Sequence, residues 1–324
     1  MRAIPIAGLL LGLAVLSSLP FVLDAYSLRI ATGVFMWAGL ACSWNIVGGY
    51  SGYISFGHSA FFGIGAYATA ILMQRELGLP FIATVPVGLL GAAAVAALIG
   101  EPTMRLRGSY FAIATWAFAE MLLQLVNISD ITGGTGGLSL PPYLNELFFY
   151  YTMAGAALGC YLLVWLLFER SRFGFRIKAL RDHEPAAEAM GINTTQVKVQ
   201  AFALSAAMAA LFGSIYAYWV TFIDPRSAMG GEITDQMVVM VLLGGLGTVW
   251  GPALGAALLW IVNRYVWAEW GDTTIYLPVL GVVIALVVLF LPNGLVSLLP
   301  GRGRGRGRAG GAGRGLLGTI VRKL

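Results

Sequence analysis

RSRFGFRIKALRDHEPAAEAMGINTTQVK, Arg170 to Lys198, is the one long polar interruption in an otherwise apolar sequence. It carries six basic and three acidic residues, and apolar segments long enough to cross a bilayer flank it on both sides. Phe175, Ile177, Leu180, Ala187 and Met190 alternate with Arg176, Lys178, Arg181, Asp182, Glu184 and Glu188, a spacing that gives the stretch helical character. Pro185 suits the first turn of a new helix, and Gly191 suits a left-handed C-terminal stop. The pattern predicts two short helices, about 173–182 and 185–190. Their apolar face either rests on the bilayer surface or fits a groove on another protein.

The rest of the chain sets that loop in a membrane. Of 324 residues, 58% are hydrophobic and only 11% charged, with a mean hydropathy of +0.81. A soluble domain carries about 25% charged residues, so a soluble fold is excluded and an all-α polytopic membrane protein is expected. The 43 glycines suit closely packed transmembrane helices. Cys42 and Cys160 both lie in apolar segments, which indicates neither a disulfide framework nor a metal cluster.

About ten spans are expected, at roughly 4–23, 29–47, 58–74, 80–99, 109–127, 147–168, 200–222, 233–247, 252–268 and 275–291. The apolar run after Arg2 reads as a retained first helix, since no small-x-small cleavage site follows it. Whether the eighth and ninth spans are separate turns on Leu242 to Gly255, LLGGLGTVWGPALG, whose glycines and Pro252 interrupt a helix. With both termini inside, 16 of the 20 basic residues fall on the cytoplasmic side, as positively charged inner loops require. Residues 1–298 then form the membrane domain, with the loop at about 170–198. Residues 299–324, containing GRGRGRGRAGGAGRG, form a basic tail expected to be disordered and to rest on anionic lipid rather than on a specific nucleic acid.

Two segments are too rich in glycine for plain helices. Trp44 to Ala70 crowds Gly48, Gly49, Gly52 and Gly57 among Asn45, Ser51, Ser55 and His58. Open backbone at membrane depth survives only when protein covers it or it lines a wet cavity, so this is either a broken helix near a pathway or an external loop. Ile131 to Pro142, ITGGTGGLSLPP, is expected as a flexible external loop, with a gate at the mouth as the alternative. Glu120 lies inside the fifth span, where a carboxylate usually faces the bundle interior. Asn45, Ser51, Ser55, His58 and Glu120 are the candidate pathway residues.

The loop sequence FGFRIKALRDHEPAAEAMGINTTQVK resembles the coupling loop of branched-chain amino acid permeases of ATP-binding-cassette importers, the LivM type. NIVGGYSGYISFGHSAFFGIGAY, RLRGSYFAIATWAFAE, MVVMVLLGGLGTVWGPALGA and LPNGL are similar to the same family, so the resemblance spans about residues 30–298 and leaves the tail out. It implies a type II importer-like fold and a loop seated in a cytoplasmic ATPase, with Arg176, Arg181, Glu184, Ala187, Glu188 and Gly191 at the matching positions. It also implies a second permease subunit, a periplasmic binding protein that delivers the substrate, and a bacterial inner-membrane location. A urea or short-chain amide permease of the same family is the nearest alternative. The chain has no G-x-x-x-x-G-K-[ST] phosphate loop, and none of its three lysines follows a glycine, so ATP hydrolysis is expected from separate subunits. No catalytic triad and no metal-ligand spacing is present, and no cofactor is implied. A secondary transporter free of any ATPase would more typically carry paired intramembrane acids, and Glu120 stands alone.

Overall fold

The computed structural model describes residues 17–74, 78–106, 108–270, 281–282 and 294–298. Eleven α-helices carry the described fold: α1 (Ala25–Asn45), α2 (His58–Gln74), α3 (Phe81–Thr103), α4 (Ser109–Ile128), α5 (Glu146–Val164), α6 (Arg172–Asp182), α7 (Glu184–Ala189), α8 (Thr194–Val220), α9 (Pro225–Met229), α10 (Gly231–Gly244) and α11 (Gly251–Trp270). Two of them run on in widened π-type turns, α1 through Ile46–Ser51 and α5 through Trp165–Glu169. Among the described residues, five helical stretches are long and apolar enough to cross a membrane: Ala25–Ser51, Phe81–Thr103, Ser109–Ile128, Glu146–Glu169 and Thr194–Val220. The chain is therefore an all-α, multi-pass membrane protein. The expected spans at 4–23 and 275–291, and the tail, lie largely or wholly outside the described residues.

Helix α8 is the organising element, packed along both α2 and α3. Two glycines let α2 and α8 meet backbone to backbone. A Cβ on Gly213 would collide with the Phe62 carbonyl, and one on Gly65 with the Ala210 carbonyl. Phe61 and Phe202 meet edge to face beside this contact, with ring centroids 5.2 Å apart.

The eighth and ninth expected spans are separate helices. α10 has 14 residues and stops at Gly244, the chain turns through Gly245 (φ 129°) and Gly247 (φ 71°), and α11 restarts at Gly251. Left-handed backbone at two positions in three is what the glycines supply there.

The linkers divide between two ends. Residues 46–57, 101–106, 169–194 and 245–250 gather at the loop end, and 129–145 with 221–231 at the opposite one. At the opposite end the structure corrects the expectation of a flexible loop at Ile131 to Pro142. Leu138–Ser139 (β1) pairs antiparallel with Phe222–Ile223 (β2), and Leu140 N donates to Thr221 O at 2.7 Å. Thr132 Oγ1 donates to Val126 O at 2.7 Å, and Gly137 (φ 72°) lies where a Cβ would strike the Ile223 carbonyl. Backbone pairing and side-chain caps have tied the glycines into a built turn.

Candidate functional site

The loop folds as two helices broken at His183. Ser171 caps α6 through Phe173 N at 3.1 Å, His183 Nδ1 accepts from Ala186 N at 3.2 Å to open α7, and Gly191 (φ 81°) ends it. Asn193 then caps α8 through Gln196 N at 3.0 Å. Gly174, Ile177, Leu180 and Ala187 are buried against the chain, while Phe175 and Met190 are 71% and 83% exposed. Arg176, Asp182, Ala186 and Glu188 are exposed as well. Phe175 and Met190 are thus large apolar side chains left uncovered on the two loop helices.

The six residues grouped from the sequence divide in the structure. Arg176, Glu188 and Gly191 are exposed, although Glu188 Oε1 also accepts from Thr194 Oγ1 at 2.8 Å. Ala187 is buried, and Arg181 and Glu184 are half-buried and turned into the protein. Glu184 pairs with Lys198, which is 2% exposed, and accepts from the Tyr53 hydroxyl at 2.5 Å. Lys198 Nζ also donates to Tyr53 Oη at 2.8 Å and to the Met104 carbonyl at 3.3 Å. A second ion pair ties α6 to the end of the preceding helix: Lys178 Nζ donates to Glu169 Oε2 at 2.9 Å, and the Tyr50 hydroxyl to Glu169 Oε1 at 3.3 Å. A buried lysine is tolerated only with such partners.

Beneath the loop, two glycine-rich breaks cross. In the first, Gly52 (φ 80°) ends the helical path, and Tyr53 N returns to Val47 O at 3.1 Å. Trp44 folds over Gly48, where a Cβ would meet its ring, and its Nε1 donates to Ser55 O at 2.7 Å. The second break is Gly245–Trp250. Asn45 joins the two: its Oδ1 accepts from Gly247 N and its Nδ2 donates to Thr248 O, both at 2.9 Å. The Arg181 side chain lies over the crossing. Its Cγ is 3.3 Å from the Cβ position of Gly52, and its Nη1 fills the space a Cβ on Gly247 would need.

Four of the candidate pathway residues are interior to this crossing. Asn45, Ser51, Ser55 and His58 are at most 3% exposed. Ser51 Oγ donates to Val47 O at 2.5 Å. His58 bridges three helices: Ser205 Oγ donates to Ser43 O at 2.6 Å and so accepts from His58 Nε2 at 2.7 Å, which leaves Nδ1 to accept from Ser55 Oγ at 3.2 Å. Every polar atom of that imidazole is satisfied within the chain.

Glu120 is placed differently, on the outside of α4, where Gln124 Nε2 donates to Glu120 Oε1 at 2.8 Å. The exposed stripe of α4 runs through Tyr110, Ile113, Trp116, Glu120, Gln124 and Ile128. The neighbouring α3 shows Ile82, Val87, Leu90, Ala94 and Leu98, wholly apolar until Glu101 at the loop end. An apolar stripe suits lipid, whereas a carboxylate–amide pair in mid-span does not.

Sequence reading missed Tyr50, Tyr53, Glu169 and Lys198 as a set. The available signal was a lone lysine inside the start of an apolar helix and two tyrosines flanking a glycine, YSGY. Among the described residues no group of histidine, cysteine and carboxylate side chains is arranged to hold a metal.

Comparison with known proteins shows the family. The sequence model of the family described as branched-chain amino acid transport system / permease component matches residues 26–291. The chain is 31% identical over 310 residues to the high-affinity branched-chain amino acid transport system permease protein LivM of Salmonella typhimurium, covering 86% of this chain and 72% of that one. It is 25% identical over 288 residues to LivH, a permease protein of the same description in that organism, covering 81% and 91%. Over 168 residues, 47% of this chain and 48% of the relative, it is 32% identical to the autoinducer 2 import system permease protein LsrC of Salmonella paratyphi B. No solved structure matches. The chain belongs to the family of branched-chain amino acid transport system permease components.

Proposed function

We propose that the chain is the membrane-spanning permease subunit of an ATP-binding-cassette importer for branched-chain amino acids, driven by separate ATPase subunits in the cytoplasm. The observation that carries this reading is the α6–α7 face. A polar loop between membrane helices has two ordered helices whose inner side is packed and whose outer side offers Phe175 and Met190. We assign that outer face, with Arg176, Ala186, Glu188 and Gly191, to the ATPase cleft. Arg181, Glu184 and Ala187 act from the inner side by fixing the helices to the membrane domain. The loop end is then cytoplasmic, in accord with the distribution of basic residues, and the termini lie on that side of a bacterial inner membrane. The basic tail rests on acidic headgroups.

A periplasmic binding protein delivers the amino acid, and a second permease subunit completes the passage. The α4 stripe is the surface we assign to that seam, because Glu120 and Gln124 need protein or water beside them and the stripe runs the depth of the span. Asn45, Ser51, Ser55 and His58 serve the passage indirectly, by holding the shape of the crossing. LivM and LivH are two permease proteins of one description in one organism, and this chain is similar to both, which supports a paired assembly.

The reading is tested by Phe175→Asp with Met190→Asp. ATPase subunits that co-purify with the native chain are expected to be lost from this variant while the chain remains folded in the membrane. Retained ATPase binding and retained leucine uptake overturn the assignment.

A further inference from the structure

The two tyrosines of the first break, Tyr50 and Tyr53, flank Gly52, whose φ of 80° makes it the point where the helical path of α1 ends. Each hydroxyl is held by an ion pair that also holds the loop. The Tyr50 hydroxyl donates to Glu169, the partner of Lys178 on α6. Tyr53 is held by Glu184 of α7 and by Lys198 at the start of α8. Arg181, between these two attachments, covers Gly52 and Gly247. The chain turns at a single left-handed glycine there, and charge-assisted bonds such as those to the two hydroxyls are the strong ones. On the open flank of the attachments lies a cavity of about 560 Å³ bounded by Tyr53, Phe56, Ser109, Arg181 and Glu184, which leaves room for α7 and the break to move as one.

We infer that Tyr50 and Tyr53 are positioning residues that make the broken end of α1 follow the loop helices, through Glu169–Lys178 and Glu184–Lys198 respectively. The inference rests on the proposed ATPase-driven reading and deepens it. A pull on α6 and α7 reaches the break through two hydroxyls on either side of its bend, and reaches α10 and α11 through Asn45, which grips the second break. Packing alone would transmit a push; the ion-paired hydroxyls also transmit a pull. Lys198 adds a fixed point, since its third contact is the Met104 carbonyl at the end of α3.

The test uses the complete transporter, with its ATPases, second permease and binding protein, in proteoliposomes with radiolabelled leucine. Tyr50→Phe with Tyr53→Phe removes both hydroxyls and keeps both rings. The expected result is normal ATPase co-purification and at most a modest loss of thermal stability, with leucine taken up per ATP hydrolysed falling about tenfold or more, since three hydrogen bonds to the two ion pairs are lost. Lys198→Met with Glu184→Met, which removes the ion pair while keeping apolar volume, is expected to lower the same ratio. An unchanged ratio in both variants overturns the inference. So does a loss of stability with the ratio preserved, which would make the links structural only. Failure of the native chain to retain an ATPase would instead sink the importer reading, so the two failures are distinct.

Discussion

The side chain of Asn45 grips Gly247 across 202 residues of sequence, its Oδ1 accepting from the Gly247 amide at 2.9 Å. The other half of the same amide donates to Thr248 O. One asparagine thereby satisfies one donor and one acceptor of the turn that separates α10 from α11. Asn45→Ala removes two buried hydrogen bonds at once. A loss of about 2–4 kcal/mol is expected, read as reduced thermal stability in detergent. Asn45→Asp keeps the acceptor but turns a charge toward the Thr248 carbonyl, and is expected to be at least as damaging.

The contact between α2 and α8 admits no side chain at Gly213 or Gly65. Gly213→Val forces the branched group into the Phe62 carbonyl and separates the helices. The yield of folded protein in membranes is expected to collapse, whereas Gly155→Val, where a Cβ meets nothing within 4 Å, is expected to leave it near normal.

Glu120 distinguishes a lipid face from a protein seam. If α4 faced lipid, Glu120→Leu would raise thermal stability and leave uptake intact, since a mid-span carboxylate is costly there. The expected result is the reverse: stability of the isolated chain changes little, and uptake by the assembled transporter falls about tenfold or more. Glu120→Gln, which keeps the hydrogen-bonding shape, is expected to fall between.

Asp224 caps α9 at the end opposite the loop, accepting from Arg226 N at 3.0 Å and Ser227 N at 3.1 Å. Partial burial pushes its pKa up, but the hydrogen bonds from Ser227 and Arg226 outweigh this and hold the carboxyl below its ordinary value of 3.8. A carboxylate depressed in the folded state contributes stability above its unfolded pKa and loses it as pH falls through the folded one. Asp224→Ala is expected to cost about 1 kcal/mol near neutral pH. The native advantage should narrow on acidification below pH 3.8 in a thermal melt series.

Local chemistry at Pro185 and Gly191 was legible, because helix starts and stops act on residues two or three places away, whereas the caps at Ser171 and Asn193 were not read from the sequence. The two loop helices follow almost to the residue. The break at Gly52 was legible for the same reason, since glycine density marks where a helix fails; the glycines of Leu242 to Gly255 marked the point in doubt between α10 and α11 without deciding it. The direction in which Arg181 and Glu184 point was not. Both lie in a run of charges that reads as a solvated face, and the groups that turn them inward are Gly247 and Lys198, distant in sequence or inside another helix. Asn45 and His58 posed the same difficulty. A polar residue in an apolar run signals either a wet passage or a dry hydrogen-bonded joint, and only the partners Thr248 and Ser205 decide between them. At Ile131 to Pro142 composition misled, because glycines that suit a mobile loop equally suit the tight turns that bring Leu138 opposite Ile223.

The β1–β2 pairing has a mechanical consequence. It fastens the end of α4 to the end of α8 on the side away from the loop, while both glycine breaks lie at the loop side. One rim thus carries a backbone pairing and the other the two helix breaks. With the segment beyond Ile128 held by the strand pair, force arriving from the loop side would move α4 most near Ser109 and least near Ile128.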